Sequence, residues 1–332
     1  MWKLLPIVCF FLTACSTKQA VKSFPRLENL QVNEVILSEP LLTAGSMFIT
    51  DGYLVIHQSG IEDMYFKYYS LDDLSFVLGG IQRGRGPDEF VRQPVSRSFI
   101  REGSGFSCLI PPFRKYVNIE DGRLKVVGQT EIGGIFNFGP NNHSKVAEDL
   151  YCVSNADPSQ PYEFVLFDKD GENPKYVSSY PSWANADEYE LFTYRCLVAA
   201  NPDRKRFIVF YGFFARVRLF DSDGNRLKDI SVEFPSRFPQ YDPEVKKLAY
   251  APIFFQDDKY VYVISYIGGA TDATEIQVWN WDAEPVAVLR LNERCTQFTI
   301  SHEKRRLYAT NPRSDTDNDK IHWCDLPDWL YD

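Results

Sequence analysis

The stretch FTISHEKRRLYAT, residues 298–310, decides the fold: an apolar run, a charged turn and a second apolar run. A short apolar stretch, a tight polar turn and then an alternating apolar strand are typical of a β-hairpin. Similar hairpins occur three more times along the chain. These copies are MFITDGYLVIH (47–57), LVAANPDRKRFIVFY (197–211) and IFFQDDKYVYVIS (253–265). A hairpin that repeats along the chain predicts a repeat architecture.

A second kind of hairpin alternates with the first. Its copies are YYSLDDLSFV (68–77), YVNIEDGRLKVV (116–127), FVLFDKDGENPKYV (164–177), VRLFDSDGNRLKDI (217–230) and IQVWNWDAEPVAVL (276–289). The turns of this second hairpin lie 48 to 59 residues apart, at Asp73, Asp121, Asp170, Asp223 and Asp282. Two hairpins in each period match the size of a four-stranded propeller blade. The sequence therefore predicts an all-β fold, a six-bladed β-propeller with four-stranded blades.

The two ends of the chain predict how the ring closes. The last blade ends after its third strand, KIHWCDL (320–326), while LQVNEVILS (30–38) has the alternation of a strand. We expect this N-terminal strand to complete the last blade, which would remove two exposed edges. A pair of β-sandwiches is the alternative, but it predicts no fixed period and leaves the closing strand unexplained. The propeller is expected to span residues 30–332.

The first residues predict export and a lipid anchor. Lys3 precedes the apolar run Leu4–Leu12, which is too short to span a bilayer comfortably. The sequence Leu-Thr-Ala-Cys that ends at Cys15 resembles the lipobox of bacterial lipoproteins, in which the signal is cut before the cysteine and the cysteine is acylated. This resemblance implies a signal peptide over 1–14, lipid attachment at Cys15 and a lipidated tether over 15–29. An ordinary secretory signal is the alternative.

Several acyl chains on Cys15 would anchor the protein without a spanning helix. Ser16 follows the cysteine, in place of the aspartate that retains some lipoproteins at the inner membrane. By resemblance this favours the outer membrane and leaves open whether the protein faces the periplasm or the cell surface.

Three features together resemble the TolB-like six-bladed β-propeller lipoproteins of Gram-negative gut anaerobes. They are the lipobox, the blades of about fifty residues and the segment GRGPDEF (84–90) followed by Pro94. The strands in SHEKRRLYAT and NPDRKRFIVF are similar to the turn-plus-strand unit of TolB itself. The resemblance covers essentially the whole mature chain. It implies the fold and a place in the cell envelope, but the biochemical role of the family is largely undefined.

Charge and cysteine content exclude several classes of function. The formal net charge is −9, which disfavours non-specific binding to nucleic acid or to anionic membranes. Beyond Cys15 the chain carries an odd number of cysteines, so at least one thiol stays unpaired within the chain. None has a Cys-x-x-Cys spacing, so a zinc site has no support. Their apolar neighbours predict buried thiols.

The glycine-rich stretch GGIQRGRGPDEF (79–90) suggests a phosphate-binding loop at first sight. Arg85 and Gly86 stand where a P-loop requires Lys and Ser or Thr, and Glu89 occupies the third glycine position of the dinucleotide fingerprint. We therefore interpret the stretch as a turn between blades one and two, stiffened by Pro87. Arg83 and Arg85 remain secondary candidates for binding an anion or for pairing with Asp88 or Glu89.

Loop lengths indicate the face on which a ligand would bind. The connections between strands two and three of a blade, and those between blades, are long and emerge on one side, which we call the long-loop face. Its aromatic-rich segments are 180–195, 210–216 and 234–241. They supply the candidate ligand-binding residues Trp183, Tyr189, Arg195, Tyr211, Phe213 and Tyr241. The alternative is that these aromatic side chains only pack the loops onto the blades.

Signals for catalysis are few. The four histidines fall in different blades, and neither G-x-S-x-G nor H-E-x-x-H occurs. Asp315, Asp317 and Asp319 alternate in SDTDND, which makes them weak candidates for calcium; otherwise we expect no metal and no cofactor.

The sequence favours a module that binds a ligand or an envelope protein, with no catalysis and no nucleic-acid partner. A carbohydrate-active hydrolase or lyase, or a lactonase-like metal enzyme, with its site at the channel mouth is the alternative.

Overall fold

The computed structural model of the chain is almost entirely β-structure. It describes residues 20–39, 41, 44–58, 64–95, 98–131, 143–155, 157, 159–168, 173–183, 193–233, 248–266, 273–311 and 319–332. Within them the strands form six four-stranded antiparallel blades, two of which carry an additional outer strand, and a short 3-10 turn spans Asp328–Leu330. The predicted six-bladed β-propeller is confirmed.

Three short strands precede the first blade. They are β1 (Ala20–Lys22), β2 (Leu27–Leu30) and β3 (Asn33–Ile36). Blade one and the linker after it contain β4 (Ala44–Thr50), β5 (Tyr53–Gln58), β6 (Phe66–Ser70), β7 (Phe76–Gly80), β8 (Gln82–Arg83) and β9 (Glu89–Phe90). Blade two contains β10 (Ile100–Glu102), β11 (Gly105–Ile110), β12 (Phe113–Glu120) and β13 (Arg123–Glu131).

The remaining blades follow in chain order. Blade three contains β14 (Ser144–Ala147), β15 (Leu150–Ser154), β16 (Tyr162–Asp168) and β17 (Lys175–Ser179). Blade four contains β18 (Cys196–Asn201), β19 (Arg206–Tyr211), β20 (Arg216–Asp221) and β21 (Arg226–Val232). Blade five contains β22 (Tyr250–Gln256), β23 (Tyr260–Ser265), β24 (Thr274–Asn280) and β25 (Pro285–Leu291). Blade six contains β26 (Gln297–Ser301), β27 (Arg306–Thr310) and β28 (Lys320–Asp325).

The core of the ring lies between blades. Six hydrophobic clusters fill the six interfaces between neighbouring blades, including the interface between blade six and blade one. The first strands of successive blades contact one another near the axis, and Gln256 of β22 joins two of them. Its side-chain amide accepts from the Ala200 N–H at 3.2 Å and donates to the Ala200 carbonyl at 2.7 Å.

The short turns follow the chemistry that the sequence predicts. In the turn between β4 and β5, Asp51 and Gly52 adopt φ values of 47° and 77°. Asp121 and Gly122, between β12 and β13, adopt 51° and 72°. Two successive residues with positive φ match the right-handed twist of a hairpin, and Asp-Gly is a preferred pair for that conformation. We call the side of the ring that carries these turns the short-turn face.

The N-terminal strand closes the ring as predicted. Strand β3 pairs antiparallel with β28, with Asn33 opposite Trp323 and Ile36 opposite Lys320. It becomes the fourth, outermost strand of blade six. Val35 points inward and packs against the cluster between blades six and one, whereas Ile36 is 69% exposed. The alternation over residues 30–38 therefore predicts the strand correctly but not its buried face: it groups Ile36 with Val32 on the apolar side, whereas Val35 and Leu37 are the residues that pack inward.

The stretch that the sequence analysis assigned to a tether contributes two further strands within residues 20–30. Strand β1 pairs in parallel with β21, the outer strand of blade four, and β2 pairs in parallel with β25, the outer strand of blade five. We call residues 20–36 the N-terminal strap, because its three strands cover the outer edges of blades four, five and six in turn.

Candidate functional site

A buried polar cluster lies on the long-loop face where blades three and four meet. Strands β16 and β20 both begin at this face, and β19 ends there. In β20 the side chains of Val217 and Leu219 pack toward blade five, while Phe220 packs toward blade three. Because side chains alternate along a strand, Arg216 and Arg218 share the Phe220 side and point toward blade three.

Glu163 and Arg218 form the centre of the cluster. The Glu163 side chain is 2% exposed and that of Arg218 is 3% exposed, and Arg218 Nη1 lies 2.9 Å from Glu163 Oε2. Two hydroxyl groups also donate to the carboxylate: Tyr211 to Oε1 at 2.6 Å and Ser178 to Oε2 at 2.7 Å. Both oxygens of Glu163 therefore have donors from the protein.

The backbone at Ser178 is adapted to this contact. Glu163 lies between the paired positions Tyr162–Ser179 and Phe164–Val177 of strands β16 and β17, so it faces Ser178 across the ladder. Ser178 adopts φ 59°, in the left-handed region, which costs a residue other than glycine about 1 kcal/mol. The hydrogen bond to Glu163 offsets this cost.

Arg218 is held on a second side by Asp229 of β21, directly opposite it in the sheet. The Arg218 Nε–Asp229 Oδ2 distance is 2.9 Å, and the neighbouring Arg216 reaches Asp229 Oδ1 at 3.4 Å. Asp229 is 23% exposed, so the polar cluster runs from the core to the surface. Two carboxylates thus fix the plane of one guanidinium.

Burial and charge compete in setting the ionisation of this cluster. Burial raises the pKa of Glu163, while Arg218 and the hydrogen bonds from Tyr211, Ser178 and Arg218 act to lower it. Burial acts to lower the pKa of Arg218, but its neighbours Tyr211, Glu163 and Asp229 outweigh this and the net shift is upward. Because three donors converge on Glu163, we assign the pair as ionised at neutral pH.

Trp183 covers the outer side of this ion pair. The guanidinium carbons of Arg218 and Arg216 lie 4.4 and 4.8 Å from the centroid of its ring. Tyr211 meets the indole edge-on at 4.8 Å. The backbone N–H of Trp183 donates to the hydroxyl of Tyr194 at 3.1 Å, which fixes the start and the end of the crossing segment to each other.

Phe213 belongs to the same hydrophobic cluster as Trp183, and Arg195 packs on Phe213. The Arg195 guanidinium carbon is 4.7 Å from the centroid of the Phe213 ring, and the Gly212 N–H donates to the Arg195 carbonyl at 2.9 Å. Arg195 is exposed, whereas Phe213 is 3% exposed. The half-buried Trp183 and the exposed Arg195 thus lie at the surface over a closely packed aromatic layer.

The structure brings together four of the residues that the sequence singled out: Trp183, Arg195, Tyr211 and Phe213. Tyr211 is fully buried and serves to position Glu163, so its contribution is to the framework of the site. Tyr189, Tyr241, Asp315, Asp317 and Cys15 lie outside the described residues. Asp319 is half-buried, and its carbonyl accepts from the Leu37 N–H at 2.7 Å.

The sequence analysis did not predict Glu163, Arg216 or Arg218. In ARVRLF (215–220) the two arginines alternate with Val217 and Leu219, so the pattern alone assigns them to the polar side of a strand; that side is buried because β20 packs against a blade on each side. Glu163 lies at the start of the apolar run YEFVLF (162–167), within β16, and is 4% exposed in the structure. A charged residue in a predicted core position is a reason to look for its partner.

Within the glycine-rich linker (79–90), the carboxylate of Glu89 contacts the glycines. The Gly86 N–H donates to Glu89 Oε2 at 2.7 Å, and a β-carbon at Gly84 would collide with the same carboxylate. Asp88 accepts from the Val126 N–H at 2.9 Å, and Phe90 is fully buried. Arg83 and Arg85 are exposed; within the described part of the chain neither forms an ion pair with Asp88 or Glu89. The interpretation of this stretch as a turn between blades agrees with these contacts.

The five cysteines beyond Cys15 are free thiols. Cys196 is half-buried, and the other four are buried: Cys108, Cys152, Cys295 and Cys324. Burial raises the pKa of the Cys196 thiol to about 12, so it is protonated at neutral pH.

The described residues contain no group of three or more His, Cys, Asp or Glu side chains placed to hold a metal ion. No helix among them is long and apolar enough to cross a membrane.

Comparison with solved structures supports the fold. A member of the DUF4221 family from Bacteroides vulgatus is 12% identical and gives a TM-score of 0.56, covering 88% of this chain and 97% of its own. A protein from Bacteroides fragilis described as exported is 11% identical and gives 0.52, covering 92% of this chain and 99% of its own. Regucalcin from Agrobacterium tumefaciens, a calcium-binding protein, is 10% identical and gives 0.50, covering 90% and 95%.

These similarities define the class of the protein as a six-bladed β-propeller. At 10–12% identity they establish the fold alone. No protein-family model matches the chain, and no curated protein matches its sequence.

Proposed function

We propose that this chain is a TolB-like propeller lipoprotein of the cell envelope that binds a ligand or a partner protein through its long-loop face. The observation that carries the proposal is the half-buried Trp183, held against Arg216 and Arg218 at the mouth between blades three and four. A large aromatic ring fixed by its neighbours offers contact area at low entropic cost. Trp183 and the exposed Arg195 are the proposed contact groups.

The proposal is for binding rather than catalysis, because the buried carboxylate of the site is already engaged. Glu163 accepts from Tyr211 on one oxygen and from Ser178 and Arg218 on the other. A general acid or base must exchange its proton with a substrate within hydrogen-bonding reach. With its donors in place Glu163 serves to position Arg218, and through Arg218 the indole of Trp183.

The location of the protein is part of the same proposal. The lipobox ending at Cys15 supports acylation and an outer-membrane anchor, and the similar Bacteroides fragilis protein is described as exported. An exposed binding face on an anchored propeller would allow the protein to capture a glycan, a peptidoglycan fragment or an envelope protein.

The test is a thermal-shift screen of the mature protein against glycans and peptidoglycan fragments, repeated with Trp183→Ala. A ligand of the native state raises the melting temperature by mass action, and we expect Trp183→Ala to abolish that shift. Trp323→Ala is the matched control, because Trp323 is also half-buried and carries Arg306 at 4.0 Å from its ring, but lies in blade six.

A shift that survives Trp183→Ala and disappears in Trp323→Ala would contradict the proposed site. If no small molecule produces a shift, the partner is expected to be a protein. Envelope extracts passed over immobilised wild type and Trp183→Ala would then identify proteins retained by the wild type alone. A protein retained equally by both variants would contradict the proposal.

A further inference from the structure

The direction of strand β1 limits how the propeller can sit on a membrane. Strand β21 runs from the short-turn face to the long-loop face, since the turn after β20 lies on the former and the crossing to blade five on the latter. Strand β1 is parallel to β21, with Ala20 beside Ile230 and Lys22 beside Val232. At Ala20 the chain therefore runs in the direction from the short-turn face to the long-loop face.

The covalent distance to the anchor is short. Five peptide units separate Cys15 from Ala20, which at about 3.6 Å each gives a reach of at most about 18 Å. Along β21, Ile230 lies four residues from Arg226, which is at the short-turn end of the strand. This corresponds to a distance of about 13 Å. A chain that continues in the direction of β1 would just pass the short-turn edge of blade four. To place the anchor beyond the long-loop face, it would have to reverse its direction at once.

The short-turn edge of blade four presents exposed cations and one exposed apolar side chain. Arg204, Lys205 and Arg226 are exposed there, as is Leu227 with 49% of its surface accessible. Exposed carboxylates at the same edge belong to Asp203 and Asp223, while Asp221 is half-buried and accepts from the N–H groups of Asp223 and Asn225. Cations near a bilayer are attracted to lipid phosphates, and an exposed leucine can enter the headgroup region.

We propose that the short-turn edge of blade four rests on the bilayer and that the long-loop face, with Trp183 and Arg195, points away from it. This inference rests on the proposed lipid anchor at Cys15. The net charge of −9 opposes adsorption to an anionic membrane by charge alone, so the anchor supplies the attachment and the strap sets the orientation. The binding face would then be presented to soluble or surface-bound partners.

The test places a fluorophore at each end of blade four. Asp223→Cys and Glu233→Cys replace exposed acidic residues at the short-turn and long-loop ends of the blade. Each full-length acylated protein is labelled with an environment-sensitive dye and reconstituted into vesicles that contain 20% anionic phospholipid and a headgroup spin label. The unsubstituted protein, carried through labelling, gives the background from its native thiols. We expect at least twofold stronger quenching at residue 223 than at residue 233.

Two outcomes separate the inference from the proposal beneath it. Equal quenching, or stronger quenching at residue 233, with acyl chains present on Cys15 by mass spectrometry, would overturn the orientation and leave the anchor intact. A mature protein without acyl mass at Cys15 would overturn both. In Cys15→Ala we expect no flotation with the vesicles and no quenching at either position.

A pair of charge reversals tests the lipid contact itself. Arg204→Glu with Lys205→Glu is expected to halve the quenching at residue 223, because the reversed charges repel the lipid phosphates. Arg101→Glu with Arg123→Glu is the matched control, since both of these arginines are exposed but lie in blade two. Equal quenching in the two double variants would overturn the assignment of the lipid surface to blade four.

Discussion

Arg218 lies on the side of β20 that packs against blade three, beside Phe220, and its side chain is only 3% exposed. It remains charged there because Glu163 and Asp229 each lie 2.9 Å from its guanidinium nitrogens. Removing one partner of a buried ion pair leaves an uncompensated charge in the core, which is costlier than removing both. The stability of this interface thus depends on keeping the pair intact.

We expect Arg218→Met to lower the free energy of unfolding by about 3–5 kcal/mol, because Glu163 keeps its charge without its cation. Guanidinium unfolding followed by fluorescence measures the loss. Arg206→Met is the control: Arg206 pairs with Asp282 at the surface, with 36% of its side chain exposed. Its loss should not exceed about 1 kcal/mol. Equal losses in the two variants would show that the Glu163–Arg218 pair contributes no more than a surface pair.

His57 gives the fold a dependence on pH. It lies among Phe66, Phe99 and Tyr65, and burial lowers its pKa to about 4. Between pH 6.5 and pH 4 the unfolded chain binds a proton on His57 that the folded chain excludes. Stability contributed by this residue is therefore lost as the pH falls through that window, by about 2 kcal/mol between pH 7.5 and pH 5.

His57→Leu should remove this contribution and flatten the pH dependence over the same interval. Unfolding free energies at pH 7.5, 6.5, 5.5 and 5.0 for wild type and variant provide the measurement. An unchanged slope in the variant would show that other groups cause the loss at low pH.

At the scale of elements, the closing strand β3 offers two adjacent residues with opposite environments. Val35 packs in the cluster between blades six and one, while Ile36 is 69% exposed. Val35→Asp should cost roughly 1–3 kcal/mol, because it buries a carboxylate without a partner. Ile36→Asp replaces a similar β-branched residue and should change stability by no more than about 0.5 kcal/mol. Differential scanning calorimetry compares them, and a larger loss for Ile36→Asp would contradict the register.

Elements with clear alternation were predictable, and elements without it were not. The alternation over residues 30–38 indicates the closing strand, although not its buried face, and the hairpins with Asp-Gly turns carry local signals for their conformation. Strands β1 (AVK) and β2 (LENL) show no alternation of apolar and polar residues. Their partners follow some 210 and 261 positions later, counting from Ala20 to Ile230 and from Leu27 to Val288, so nothing local indicates the pairing.

The candidate site was predictable in its location and not in its chemistry. Loop length and aromatic content indicate the long-loop face and Trp183. Which side chains meet there depends on how blades three and four pack, and that packing joins Glu163 to Arg218, 55 residues further along. A single sequence contains no measure of such a contact.

For the whole molecule, the strap should separate into a dispensable part and an essential part. Strands β1 and β2 add to blades that already have four strands, whereas β3 supplies the fourth strand of blade six. A chain that starts at Val32 should retain one cooperative thermal transition, measured by near-ultraviolet circular dichroism. A chain that starts at Glu39 should lose it, because blade six then exposes an unpaired edge and the cluster beneath it. Equal melting of the two truncated chains would contradict this division.

Ring closure also imposes an order in time. Ile36 is synthesised before Lys320, its partner in the ladder, which lies 284 residues further along the chain. At roughly 5–20 residues per second, about 14 to 60 seconds pass between the two. Throughout that interval the strand that completes the last blade has no partner strand with which to pair. Blades one to five can form before the last strands are available, but the ring stays open until those strands arrive, which makes this the stage at which a chaperone that binds incompletely folded chains would matter most.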